Sequence, residues 1–189
     1  MAIQTYTKGD PRQAASLVQV AIDSVHHDAT PRLQAALHAR LARALAKAAD
    51  GPGSARALLA AQHAIDCGPH DDDPPWTYWV TPGEIHMLAA SCALDLAEPH
   101  RAIDHFHDAV TAYDGTLSPR DHAIFLARSA DAHLALGDLD AACADATAAV
   151  DRLHGVDSDR STATVADIRR KLARHHNSLA VRDFLTRTA

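Results

Sequence analysis

Fourteen histidines in a chain of 189 residues are the first candidates for chemistry. They fall in groups: His26-His27-Asp28, His70 before Asp71 to Asp73, His105-Phe106-His107 and His175-His176. A metal needs converging ligands, spaced i and i+4 on one helix or gathered as a Cys/His quartet. Adjacent helical residues diverge by about 100° and i, i+2 pairs by about 200°, so none of these groups forms a site by itself. HExxH is absent, and no metal site is expected. Asp71 to Asp73 read as a solvated acidic linker that caps nothing identifiable. The cysteines Cys67, Cys92 and Cys143 are odd in number, widely spaced and set in alanine-rich stretches, which reads as three reduced, small core residues. There is no GxSxG, no phosphate-cradling glycine loop and no dinucleotide turn. The expectation is a protein that is not an enzyme, with no catalytic residue and no cofactor.

Trp76, Tyr78 and Trp79 are three of only eight aromatic residues and stand between Pro75 and Pro82. Two readings fit: they pin a long linker against the next helix, or they wall a ligand pocket. Eighteen Lys and Arg against twenty-four Asp and Glu leave a net charge of −6, which argues against direct nucleic-acid binding. The basic run Arg169-Arg170-Lys171, with Arg174, suits the negative end of a helix dipole. No apolar run approaches the roughly 20 residues that span a bilayer, and the first residues lack the apolar core of a signal peptide. A cytoplasmic protein without membrane contact is expected.

Such residues must be held by helices. Alanine supplies about a fifth of the sequence, and amphipathic stretches of helical period are punctuated by Gly, Pro and Asp with no alternating segment between them. The fold class is all-α, with about nine helices. Asp10-Pro11, Thr30-Pro31, Thr81-Pro82 and Ser118-Pro119 are start signals. Asp50-Gly51-Pro52-Gly53, Gly68-Pro69, Asp114-Gly115, Gly137 and Gly155 read as stops, with a third helix starting near Ser54.

Residues 97 to 113 align with 137 to 153, placing Ala102 on Ala142 and Ala109 on Ala149, and residues 54 to 65 join them through Ala57 and Ala64. Small residues seven apart, two helical turns, let neighbouring helices approach closely. The pattern, clearest in ALGDLDAACADATAAV, resembles the tetratricopeptide repeat, with Gly137, Asp138, Ala142 and Ala149 at the repeat's turn and small positions. Leu126, His133, His86 and Ala93 stand at its aromatic positions. The resemblance implies an α-solenoid: one domain over 1–189, with a capping helix in 1–30, three helix pairs in 31–155 and capping helices in 156–189.

Two stretches are more specific, LQAALHARLARALAKAAD (33–50) and DDDPPWTYWVTPGEIHMLAASCALDL (71–96). They resemble the C-terminal repeat region of actinobacterial Xre-type helix-turn-helix transcriptional regulators. That family implies a DNA-binding domain ahead of the array, for which no room is left before the first helix. The chain is therefore expected to be either the regulatory part of a longer regulator or a relative without a DNA reader. The implied activity is sensing or protein interaction: a peptide, protein or small molecule bound in the array's groove, with homodimerisation through an apolar end or groove. The alternative is a stand-alone scaffold or adaptor with no transcriptional output.

In such repeats the first helix of each pair lines the concave face. This implies groove positions at Glu84, Met87, Ser91 and Leu94, at Ile124, Ala127, Asp131 and Leu134, and at His38, Leu41 and Leu45. With Trp76, Tyr78 and Trp79, the residues His38, Glu84, Met87, Ser91 and Asp131 are the candidate ligand contacts.

Overall fold

A computed structural model describes residues 9–25, 28–112, 118–153 and 159–188. Among these residues the protein is all-α: nine α-helices, two 3₁₀ turns and no strand. In order they are α1 (Pro11–Val25), α2 (Pro31–Lys47), α3 (Gly51–Asp66), a 3₁₀ turn (Pro75–Thr77), α4 (Pro82–Asp95), α5 (Pro99–Ala112), α6 (Pro119–Ala135), α7 (Leu139–Leu153), α8 (Asp159–Leu172), a second 3₁₀ turn (Ala173–His175) and α9 (Leu179–Arg187). The His26-His27 pair and the stops at Asp114-Gly115 and Gly155 lie outside the described residues. The chain divides into two compact units, Met1–Ala112 and Tyr113–Ala189.

The same punctuation recurs in both units. α2, α4 and α6 each begin with a hydroxyl residue followed by proline. Thr30, Thr81 and Ser118 accept hydrogen bonds from the backbone N–H groups of Leu33, Glu84 and Asp121 at 3.4, 3.2 and 3.2 Å. Each cap satisfies one orphan donor of the first turn, and proline at the first helical position has no donor to lose.

At their other ends α2, α4 and α6 stop in one geometry. Ala49, Ala97 and Gly137 take the left-handed conformation, at φ 60°, 58° and 78°. The N–H of the residue after each reaches back to Leu45, Ala93 and His133, at 2.9, 2.8 and 3.0 Å, in the hydrogen-bond pattern of a Schellman motif. Gly51-Pro52-Gly53 therefore does not end α2. It forms the first turn of α3, opened by the Asp50 carboxylate, which accepts from the Gly53 N–H at 2.8 Å. A β-carbon at Gly53 would collide with that carboxylate, so the glycine is there to admit its own cap.

This turn corrects the register of the first repeat. Counted from the left-handed residue, Ser54 and Ala61 are equivalent to Ala102 and Ala109 and to Ala142 and Ala149, in place of Ala57 and Ala64. All six are at most 1% exposed. Reading the glycines as a stop had displaced the first unit by about one helical turn.

These small residues sit where paired helices meet: α2 with α3, α4 with α5, and α6 with α7. In the first unit α1 packs on α2, and α4 packs across both α2 and α3. In the second, α8 packs across both α6 and α7, and α9 rests on α7. Apart from Leu41, Ile65, Val80, Ile85, Leu88 and Val18, the two core clusters of the first unit are built mainly from alanines. The second unit's core adds Val165, Ile168, Leu172, Val181 and Phe184. Cys92 and Cys143 are buried as expected, but Cys67 is exposed at the end of α3 and only touches the His63 carbonyl, at 3.4 Å.

Among the described residues of the first unit one charged residue, Arg43, is buried. Arg43 on α2 pairs with Asp95 on α4 and donates to the Ser91 carbonyl at 2.6 Å, while Lys47 lies 3.5 Å from the same carboxylate. Removing Asp95 would deprive the buried guanidinium of its carboxylate, at a cost below the several kcal/mol of a fully buried pair because the Asp95 side is open to solvent.

Candidate functional site

In the first unit an open groove of about 660 Å³ has α2 as its floor and α1 and α3 as its walls. Leu41 and Leu45 of α2, Val20 of α1 and Ala57 and Ala60 of α3 supply its apolar surface. His38, Gln19, Asp50 and Arg56 place a few polar groups along it. Val20 is 62% exposed and leaves the α1 wall open to solvent. The volume falls within the range of ligand-binding clefts, about 300–1,000 Å³.

His38, Leu41 and Leu45 are the expected groove positions that line this cavity. Gln19, Val20 and Arg56 were missed; an apolar excess on α1 is a sequence signal for Val20 alone, and the polar Gln19 and Arg56 carry none. The other candidates lie elsewhere. Glu84 and Met87 are half-buried on α4, and Ser91 is buried at 2%, with its carbonyl engaged by Arg43. Asp131 belongs to the second unit, where both its oxygens accept from the Lys171 ammonium, at 2.7 and 2.6 Å. It is the internal partner of a cation on α8.

The aromatic group splits. Trp79 packs against the core formed by α2, α3 and α4, with the Arg40 guanidinium 5.1 Å above its ring. Thr77 and Val80, neither foreseen, are buried at 0% and 1% and fasten the linker. Trp76 and Tyr78 point out, at 57% and 75% exposure. Pinning thus accounts for Trp79, and the other two rings form an exposed aromatic pair on the linker.

The acidic linker is not simply solvated. Asp73 accepts from the His70 N–H at 3.0 Å and lies 3.5 Å from Arg32 Nε. A hydrogen bond from the Thr30 hydroxyl, the cap of α2, is the main reason its carboxyl titrates below the usual 3.8. Thr30, the cap of α2, thus also stands beside the linker's Asp73.

A second cluster joins the two helices of one hairpin. His86 of α4 and His105 and Asp108 of α5 each bring a donor atom within 4.8 Å of the others. His86 Nδ1 is 3.7 Å from the Asp108 carboxylate, and the two imidazole rings lie 6.0 Å apart, tilted by 42°. Burial, aided by His86 and Arg101, holds the His105 imidazole below its ordinary 6.5. Burial likewise raises the thiols of Cys92 and Cys143. Both stay protonated and poorly nucleophilic at neutral pH.

In the second unit Cys143, Thr147, Asp183, Phe184 and Arg187 border a smaller cavity of about 280 Å³. No family model, curated protein or solved structure matches the chain.

Proposed function

We propose that the chain is a tetratricopeptide-like helical array that binds an apolar-anchored peptide segment of a partner protein. The groove between α1 and α3 is the observation that carries this reading: it is open, half of its lining residues are Ala, Leu or Val, and polar side chains are interspersed among them. The repeated hydroxyl-proline caps, the repeated left-handed turns and the third helix laid across each hairpin support the array reading. The stretches 33–50 and 71–96 support service as the sensing or interaction domain of an Xre-type transcriptional regulator. The second reading, an adaptor without transcriptional output, shares the same groove. An in-frame helix-turn-helix coding segment upstream separates them: its presence supports the regulator, its absence the adaptor.

Peptides selected by display against the full chain test the groove. They should carry apolar anchors and bind at least about tenfold more weakly to Ala60→Trp, which fills the groove from α3. Equal binding to that variant would move recognition elsewhere and overturn the reading. A discrete co-purified mass in native mass spectrometry, lost in Ala60→Trp, would replace the peptide with a small molecule.

A further inference from the structure

The His86, His105 and Asp108 cluster is not used by the groove. His105 and Asp108 stand one turn apart on α5, so their side chains leave the same face, and His86 meets them from α4. His105 Nδ1 is buried without a hydrogen-bond partner. A bare buried imidazole nitrogen is costly, and a ring nitrogen of the same histidine stands within 4.8 Å of a second imidazole nitrogen and of a carboxylate oxygen. We propose that His86, His105 and Asp108 bind one zinc ion.

Two imidazole nitrogens and one carboxylate oxygen suit zinc, whereas calcium and magnesium take sets made of oxygens. Around a tetrahedral ion with bonds of about 2.0–2.2 Å, ligand atoms lie about 3.3–3.6 Å apart. The His86 and Asp108 pair, at 3.7 Å, is nearly there, and no two of the three ligand atoms are more than 4.8 Å apart. Three protein ligands leave the fourth position to water, on the side where Asp108 is 53% exposed. The sequence expectation of no metal compared His105 with His107, which diverge; the converging set needs the i+3 carboxylate and a histidine from the preceding helix.

The full chain, stripped with a chelator, is titrated calorimetrically with zinc and spectroscopically with cobalt as a tetrahedral reporter. One equivalent should bind, with the visible absorption of tetrahedral cobalt. Affinity should fall at least about tenfold in His105→Ala and in Asp108→Asn and stay unchanged in His107→Ala. Asp108→Asn replaces a half-exposed side chain by one of equal size, so its circular dichroism should match the parent and its loss reads on ligation alone. Absence of saturable binding, or equal binding by the parent, His105→Ala and Asp108→Asn, would overturn the proposal.

Discussion

Lys171 is held by two carboxylates, Asp131 from α6 at 2.6 Å and Asp167 from its own helix at 2.9 Å. The hydrogen bond from Lys171, with the charges of Lys171 and Arg170, draws the Asp167 carboxyl below its ordinary 3.8. Burial works against the Lys171 ammonium, yet the bonds to Asp131 and Asp167 outweigh it and raise its titration above 10.5. The two signs bracket a pH window. The carboxylate's contribution is present above its unfolded value and is lost as pH falls through the lower folded one; the ammonium's is present below its unfolded value and is lost as pH rises through the higher folded one. Lys171→Met should therefore cost about 1 kcal/mol or less at neutral pH. Its deficit against the parent, read as the thermal midpoint by circular dichroism, should narrow as the solution is acidified below about pH 4. A constant deficit would mean that Lys171 acts by packing. None of this was legible in the sequence, where Asp131 reads as a groove residue and Lys171 as a dipole partner, because the pair is 40 residues apart along the chain. Arg43 carries no sequence signal that sets it apart from Arg32 and Arg40 on the same helix; its role needs Asp95 of α4.

Helices and their starts were the most readable elements, since hydroxyl-proline pairs announce themselves by composition. The hairpin turns were half readable. Gly137 marks its own left-handed position, but Ala49 and Ala97 do the same work with no compositional mark, so the nearby glycines of α3 drew the boundary to the wrong side. A left-handed alanine is strained by roughly 1–2 kcal/mol, from its β-carbon against the following carbonyl. Ala97→Gly should stabilise the protein by about 1 kcal/mol, the relief of strain exceeding the added freedom of the unfolded chain. Gly137→Ala meets no atom within 4 Å and should lose about as much through the backbone alone. Urea denaturation of both variants checks the pair. A destabilised Ala97→Gly would mean that the alanine methyl packs more than it strains. The groove shows the same limit at this scale: the floor positions on α2 follow from helix order, while the walls depend on where α1 and α3 settle.

For the molecule as a whole, the all-α class and the number of helices follow from hydropathic period and punctuation, which are local properties. The assembly of His86 with His105 and Asp108 does not, since it needs the register between α4 and α5. Apart from Ser54, the residues that permit close approach are alanines, and alanines make up most of the buried residues of the first unit's core clusters. An alanine side chain has no rotamers to freeze and little oily area to hide, so folding here gains less from expelling water and loses less in side-chain entropy than folding around leucines. Water released from apolar surface also sets the heat capacity of unfolding. Scanning calorimetry should therefore find a value per residue below the ordinary 12–15 cal/mol/K or so. The stability curve would be correspondingly flat, giving a protein that resists cold as indifferently as it resists moderate warmth.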